Sequence, residues 1–273
     1  SEWEILTFTT VKVNRRGEII SSREGKAEVM TENFNGVSLE MVKIPAGRFL
    51  MGSPETEAKR IDWESPQHNV DVSEFFMGKY PVTQAQWEAV MGNNPSHFKG
   101  ANRPVENVSW NDATEFCQKL SQITGKKYSL PSESQWEYAC RARITTPFYF
   151  GETITSELVN YDGNYPYAGA PKGKYREETT DVGIFPPNSF GLYDMHGNIQ
   201  EWCQDVWHDN YEGAPTDASA WETGGNSSKF RLLRGGSWTN NSRNCRSAGR
   251  YIHGADIFIN GWGFRIVWSV SGS

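Results

Sequence analysis

The chain has few cysteines and histidines, and neither type is spaced as a metal site requires. No two of its four cysteines are close in sequence, and its five histidines include no H-x-x-x-H pair. A tetrahedral zinc site usually contains at least one closely spaced ligand pair. The spacing therefore argues against structural zinc and favours free, partly buried thiols in a reducing compartment, with two disulfides as the alternative for an exported protein. The cysteines are Cys117, Cys140, Cys203 and Cys245.

An excess of positive charge and long apolar runs are also missing. The formal net charge is −6, whereas binding to nucleic acid needs clustered Lys and Arg. No stretch approaches the ~20 apolar residues of a membrane span. The first residues, SEWEILTFTT, lack the charged start and apolar core of a signal peptide. We therefore expect no nucleic-acid partner, no membrane span and a cytoplasmic location.

Aromatic residues, glycine and proline are abundant instead. The chain contains 11 Trp, 11 Tyr, 14 Phe, 26 Gly and 13 Pro. Much of its apolar surface is therefore concentrated in rings, and many positions favour turns. This composition predicts an irregular, loop-rich globular protein, not a helical bundle.

Two regions can be distinguished along the chain. Residues 1–36 alternate polar and apolar side chains in TFTTVKV and contain the turn signal Arg16-Gly17, which predicts a hairpin extension packed on the main body. The main body spans residues 37–273. It begins with two short strands and, after Arg143, consists of short strands and long turns.

Three helices are predicted from their N-terminal signals. Each has a hydroxyl residue followed three positions later by an acidic or amide residue, as in a capping box. Gly92 and Gly125 are suitable C-terminal stops. The three capping pairs are Thr83 with Gln86, Ser109 with Asp112, and Ser132 with Gln135.

The order of several longer motifs points to a known family. These motifs are MVKIPAGRFLMGS, MGKYPVTQAQWEAVMG, PVENVSWNDATEFC, LPSESQWEYACR, FPPNSFGLYDMHGNIQEW, RGGSW and GFRIV. Together they resemble the sulfatase-modifying-factor family, whose founding activity is formylglycine generation, over residues 37–268. The resemblance implies an α+β fold, namely an elaborated C-type lectin fold of the formylglycine-generating-enzyme type.

The residues that would carry formylglycine generation do not match. Members with this activity use two copper-binding cysteines just after the GGS motif, but the first of those positions falls among Trp238, Thr239, Asn240 and Asn241. Only Cys245 lies in the segment, and one thiol cannot form the bis-thiolate site that Cu(I) prefers. The resemblance therefore implies a protein without catalytic residues. His196, in DMHGN, has no recognisable nucleophile beside it, so we interpret it as a packed loop histidine.

Two other properties of the family bear on this chain. Iron-dependent sulfoxide synthases contain the same domain with a separate histidine-bearing helical domain, and the scattered histidines here do not support that chemistry. Cys117 and Cys140 match positions that form disulfides with late partners in some members. The matching late positions here are Ser247 and Ile266, which again implies free thiols.

The segment from Arg234 to Val267 has a closer resemblance, to the variable proteins of diversity-generating retroelements. In these, a variable region runs from GGSW to GFR, here residues 238–262, and substitution occurs at template adenines. Asn codons are adenine-rich, so the asparagines look like unaltered template and the aromatic and β-branched residues like products of substitution. The alternative is that residues 257–262 form a buried final strand. The residues expected to bind ligand are Thr239, Asn240, Asn241, Arg243, Asn244, Gly249, Tyr251, Ile252, His253, Ile257, Phe258, Ile259, Asn260 and Trp262.

The flanks of this region are expected to hold the fold. Gly235 and Gly236 suit a tight backbone turn. Three arginines can brace loops through several hydrogen bonds each, namely Arg246, Arg250 and Arg265. Four apolar residues are expected in the core, namely Trp238, Ala248, Phe264 and Ile266.

A calcium site is implied by GNIQEW. In some family members this element holds calcium, and Asn198 and Glu201 supply the oxygen donors that calcium prefers. The alternative is that Glu201 only hydrogen-bonds loop backbone. No cofactor is required, and a structural calcium ion is the one candidate.

Three functions remain open at this point. The favoured one is a non-enzymatic protein that recognises an unknown protein or other macromolecule through its variable surface. The alternatives are an oxidative enzyme of the sulfatase-modifying class and an undiversified regulatory domain fused to a signalling module.

Overall fold

The computed structural model describes residues 2–225 and 227–270 and shows an α+β fold with long irregular connections. Three α-helices lie between residues 84 and 141, and short strands recur throughout. The helices are α1 (Gln84–Met91), α2 (Trp110–Thr124) and α3 (Glu133–Arg141). The strands are β1 (Glu2–Val13), β2 (Ile19–Phe34), β3 (Val37–Ile44), β4 (Gly47–Met51), β5 (His68–Val72), β6 (Phe75–Gly78), β7 (Tyr128–Ser129), β8 (Gln200–Val206), β9 (Phe230–Arg234), β10 (Arg250–Gly254), β11 (Trp262–Gly263) and β12 (Val267–Trp268).

All three helices begin at the predicted caps. At α1, the Thr83 hydroxyl accepts from the Gln86 amide, and the Gln86 side chain accepts in return from the Thr83 amide. The same reciprocal pair occurs at the starts of α2 and α3. Gly92 and Gly125 end α1 and α2 with φ of 82° and 75°, a left-handed conformation that favours glycine. The capping prediction is therefore confirmed.

The N-terminal hairpin continues the main sheet. β1 and β2 pair in antiparallel fashion, with Gly17 in the turn between them, and β2 pairs with β3 across a turn at Asn35-Gly36. The six-stranded sheet has the order β1-β2-β3-β6-β12-β7. The predicted extension is thus joined to the body by backbone hydrogen bonds as well as by side-chain packing.

Two hydrophobic clusters lie on opposite faces of this sheet. Because side chains alternate along a strand, Met41 belongs to one cluster and Val42 to the other. α1 and α2 cover the first cluster, and the buried face of α2 includes Cys117. α3 contributes to the second. All four cysteines are free and buried.

A second sheet positions the site. It has the order β10-β9-β8-β11, with β10, β9 and β8 antiparallel and β11 parallel to β8. The segment between α3 and β8 contains no helix or named strand, as the loop-rich composition predicts. Within the described ranges, no helix is both long and apolar enough to cross a membrane.

Candidate ligand-binding surface

Buried arginine–carboxylate pairs form the support of the surface. Arg234 is fully buried and bonds to Glu133 at 3.0 Å and to Glu137 at 2.6 Å. Arg250 bonds to both oxygens of Glu133, at 2.7 and 3.1 Å. Burial alone would raise the pKa of Glu133, but the guanidinium groups of Arg250 and Arg234 outweigh it, and the pKa lies below its usual value. Glu133 at the start of α3 is therefore a charged anchor for β9 and β10.

Two further arginines extend this support. Arg246 is 2.8 Å from each oxygen of Glu64 and 2.5 Å from Glu57. Arg265 is fully buried and bonds to Glu201 at 2.7 and 3.0 Å. The predicted role of these arginines is confirmed. We call Arg234, Arg246, Arg250 and Arg265 the arginine frame.

The two glycines of the GGS motif have positions that no other residue fits. Gly235 and Gly236 have φ of 95° and 68°. A Cβ at Gly235 would lie 2.8 Å from the Met195 carbonyl oxygen, and one at Gly236 would lie 2.5 Å from the Cys245 sulfur. The motif is therefore explained by backbone geometry and close packing.

Four apolar side chains of the predicted ligand-binding set are exposed next to this support. Their exposed fractions are 38 % for Tyr251, 39 % for Ile257, 58 % for Phe258 and 40 % for Ile259. We call these four residues the panel. Residues 255–261 are not a strand, so the alternative of a buried final strand is wrong for all but Trp262.

The other predicted ligand-binding residues are buried to different degrees. Thr239 and Arg243 are exposed, whereas Asn240 has a structural role because its side-chain oxygen accepts from the Ser237 amide and hydroxyl, both at 2.8 Å. The half-buried members are Asn240, Asn241, Asn244, Ile252, His253 and Asn260. Ile252 packs against the core cluster that contains α3.

Two predicted residues are corrected because they are buried. Trp262 is only 4 % exposed, since β11 pairs with β8 and directs its ring against Trp202, while its indole N–H donates to the Gln200 side chain at 3.1 Å. Gly249 is also buried, beneath Asn244 and Arg246. Neither residue presents a side chain to a ligand.

Hydrogen bonds to main-chain oxygens fix the loop that carries Ile257, Phe258 and Ile259. The Asn107 amide donates to the Ile259 carbonyl at 3.0 Å, and the Asn111 amide donates to the Ala255 carbonyl at 3.1 Å. The Trp238 indole donates to the Asn260 carbonyl at 2.9 Å. These bonds use main-chain oxygens of the loop, so the side chains of Ile257, Phe258 and Ile259 can change without removing them.

Neighbouring residues outside the predicted ligand-binding set enlarge the surface. Trp238 was predicted in the core but is half-buried, with its ring 5.3 Å from that of Phe98 and 6.2 Å from that of Tyr175. Tyr251 also lines a groove of about 260 Å³, together with Ile61. Only three-dimensional proximity links these residues, because their segments are far apart in sequence.

The thiol and imidazole of the region are unsuited to catalysis. Cys245 is fully buried, and burial raises the pKa of its thiol to about 12. His196 accepts from the Tyr149 amide at 2.9 Å and lies 2.6 Å from the Cys245 carbonyl oxygen, so both ring nitrogens are engaged. Burial lowers the pKa of this imidazole to about 3. His196 is a packed loop histidine, as predicted.

The two predicted calcium ligands are engaged by other groups. Both oxygens of Glu201 bond to Arg265, and one also accepts from the Trp136 indole at 3.0 Å. The Asn198 side-chain oxygen accepts from the Asn160 side chain and the Thr180 amide. A carboxylate already neutralised by a buried guanidinium does not fit a calcium site, and the partners of Glu201 are side chains, not the loop backbone. In residues 2–225 and 227–270, no group of three or more His, Cys, Asp or Glu side chains could hold a metal.

Family membership follows from comparison with known proteins. A family model described as "Sulfatase-modifying factor enzyme 1-like domain" matches residues 26–270. The chain belongs to this family. Among curated relatives, it is 30 % identical to the chaperone protein LppX of Paenibacillus barcinonensis, covering 81 % of this chain and 86 % of that protein. It is 28 % identical to the formylglycine-generating enzyme of Mus musculus, covering 89 % of this chain and 79 % of the enzyme.

Solved structures agree with the fold. PvdO from Pseudomonas aeruginosa superposes with a TM-score of 0.78 at 32 % identity, covering 89 % of this chain and 98 % of that one. Variable protein 1 of Treponema denticola superposes with a TM-score of 0.74 at 27 % identity, covering 88 % and 98 %. The predicted fold, of the formylglycine-generating-enzyme and C-type lectin type, is confirmed.

Proposed function

We propose that this protein is a non-enzymatic binding protein that recognises a protein or other macromolecule through a diversified surface. The observation that carries the proposal is the panel: Tyr251 is exposed on β10, and three further exposed apolar side chains lie on the following loop, whose backbone is held in place. Clustered exposed apolar residues are typical of interaction sites, and aromatic and aliphatic anchors supply most of the binding energy at protein interfaces.

The arrangement also supports diversification. The panel side chains point to solvent, while the arginine frame and the GGS glycines make the contacts that hold the segment. Substitution at the panel therefore leaves those contacts unchanged. The similarity to variable protein 1 of Treponema denticola, over nearly the whole of both chains, is consistent with the same use of the scaffold.

An oxidative enzyme of the sulfatase-modifying class is the second candidate, favoured by the 28 % identity to the mouse formylglycine-generating enzyme. Against it, the family's first copper-binding cysteine is missing and Cys245 is a buried neutral thiol. The test is to add copper and a cysteine-containing sulfatase peptide. We expect neither stoichiometric copper binding nor conversion of the peptide cysteine to an aldehyde, and either result would contradict the proposal.

Binding is tested with a panel variant and a matched surface control. In the panel variant, Tyr251, Ile257, Phe258 and Ile259 are replaced by Ser. The control replaces Ile123 and Ile184, which are 44 % and 57 % exposed, by Ser. Macromolecules cross-linked to the wild-type protein in a lysate of its source cells should be retained by the control and lost by the panel variant. Equal retention by both variants would contradict the proposed surface.

Diversification has its own test in the genome. We expect a nearby reverse-transcriptase gene and a template repeat that differs from the codons of residues 238–262 mainly at adenines. If neither is present, the surface is a fixed binding site and the diversification part of the proposal is wrong.

We also propose that the fold needs no calcium. Because Glu201 is paired with Arg265, adding calcium or a chelator should leave the melting temperature unchanged. A clear rise with calcium would show that other oxygen donors form a site.

A further inference from the structure

β1 forms an exposed edge of the six-stranded sheet. Its one neighbour in that sheet is β2, and two of its apolar side chains, Trp3 and Ile5, are 56 % and 68 % exposed. Natural edge strands are usually protected by proline, bulges or inward charges, because their free backbone groups pair readily with another chain. Residues 2–10 contain no proline, and their register with β2 is regular. The whole of β1 precedes the part of the chain that the family model matches.

The hairpin turns show which backbone groups of β1 are free. Phe34 and Val37 flank the two-residue turn Asn35-Gly36, so they form a hydrogen-bonded pair. Hydrogen-bonded and non-bonded pairs alternate along antiparallel strands. Even-numbered residues of β2 therefore bond to β3, and odd-numbered residues bond to β1.

It follows that odd-numbered residues of β1 direct their N–H and C=O groups outward. Odd residues of β2 face even residues of β1, as in the pair Gly25 and Phe8. Val13 shows the outward direction, because its amide donates to the Phe150 carbonyl at 2.8 Å, outside the β1–β2 ladder. Trp3, Ile5, Thr7 and Thr9 have the same orientation and no neighbouring strand among the described residues.

We propose that this edge pairs with the same edge of a second copy, joining two six-stranded sheets into one. The strands run antiparallel about a two-fold axis at Leu6, which faces Leu6 of the other copy. In this register Ile5 faces Thr7 and Trp3 faces Thr9. By symmetry, the two copies together form four such pairs of outward-bonding residues. The two residues of each pair exchange two hydrogen bonds.

The charges of the edge favour a second copy in this orientation. Glu2 and Glu4 lie at one end of β1, whereas Lys12 lies at the other end and Arg23 of β2 faces Thr10 there. Both cations are exposed and have no ion pair within the described residues. Antiparallel pairing brings Glu2 opposite Thr10 and diagonal to Lys12 of the other copy. Parallel pairing would place glutamates side by side, and like charges in such positions are destabilising.

The extent of the free edge favours the register centred on Leu6. Beyond residue 10 the edge approaches the 148–151 segment, which bonds to Val13. Residues 2–10 are therefore the stretch available to a partner, and their midpoint is Leu6. A two-fold axis perpendicular to the sheet also keeps facing side chains on the same face, as antiparallel pairing requires.

The test is the oligomeric state of the full chain and of two variants at one position, measured by analytical ultracentrifugation from low micromolar to submillimolar concentration. Thr7→Pro removes an outward N–H but leaves the β1–β2 ladder intact, a change that edge strands tolerate. It deletes two hydrogen bonds of the symmetric dimer, so the dissociation constant should rise at least about tenfold. Thr7→Ala keeps the N–H and should dimerise like the wild type.

A cysteine cross-link provides an independent readout. Two copies of Leu6→Cys meet at the axis as a non-bonded pair, about 4.5 Å apart at Cα, which is within disulfide range. Thr9→Cys faces Trp3 instead and serves as the control. The four native cysteines are buried and do not interfere. We expect a disulfide-linked dimer for Leu6→Cys only.

Three results would overturn the proposal: a wild-type chain that stays monomeric throughout the range, a dimer unaffected by Thr7→Pro in a variant with unchanged circular dichroism, or equal cross-linking of the two cysteine variants. The outcome is independent of the proposed function, because these substitutions lie in β1 of the six-stranded sheet, whereas the panel lies on β10 of the second sheet and on the loop after it.

Discussion

The division between panel and support predicts unequal effects for two large aromatic residues only four positions apart. Trp262 is 4 % exposed and Phe258 is 58 % exposed. Replacing a buried Trp or Phe by Ala costs about 3–5 kcal/mol. Trp262→Ala also leaves the Gln200 side-chain oxygen without its indole donor, which adds about 1 kcal/mol. Phe258→Ala removes a ring that is mostly in water and should cost less than about 1 kcal/mol.

These free energies convert to melting temperatures that are easy to separate. For a chain of roughly this size, 1 kcal/mol corresponds to about 2–4 °C. Trp262→Ala should therefore lower the melting temperature by about 8–24 °C, and Phe258→Ala by less than about 4 °C, in parallel thermal and urea unfolding experiments. If Phe258→Ala were as destabilising as Trp262→Ala, the panel would be part of the core and the binding proposal would lose its basis.

Three further predictions concern the support. Glu201→Gln leaves the buried Arg265 without its counter-ion and should destabilise the fold by about 3–5 kcal/mol in urea unfolding, whereas replacing both residues by well-packed apolar ones should cost less. Ser247→Cys places a thiol where an oxygen lies 3.5 Å from the Cys140 sulfur, so mild oxidation should form an intramolecular disulfide, detectable as a mass loss of two hydrogens. Burial, assisted by the nearby Glu133, raises the pKa of Asp205 to about 7, so the native state holds a proton that the unfolded state releases. The free energy of unfolding should therefore fall as pH rises through that value. Asp205→Asn should flatten this part of the profile of stability against pH.

Local sequence signals were sufficient for the elements whose physics is local. The capping boxes at Thr83, Ser109 and Ser132 involve groups three residues apart, and each helix starts where they indicate. The hairpin turn at Gly17 is equally local. The sequence also indicated the need for glycine at Gly235. It does not show the reason, which is that a Cβ there would lie 2.8 Å from the Met195 carbonyl oxygen.

Burial within the candidate site depends on contacts that the sequence does not display. Ile259 and Trp262 are both apolar and close together, yet one is exposed because Asn107 holds the loop backbone, and the other is buried because β11 pairs with β8. The pairing of the predicted calcium ligand Glu201 with Arg265 is also such a contact, since Arg265 lies 64 positions later. The spacing of a motif identifies the donor atoms, but it does not show which side chain from a distant segment binds them.

The arginine frame has a consequence for how the protein opens. Its ion pairs join segments separated by as many as 189 positions, such as Arg246 with Glu57. If one flank of the loop detached, a guanidinium or a carboxylate would remain unpaired in a low-dielectric interior, which costs several kcal/mol. Local unfolding that starts in the loop around Phe258 should therefore not extend into the strands on either side of it. In hydrogen exchange, amides of the flanking strands should open only with the whole domain, while the loop exchanges on its own.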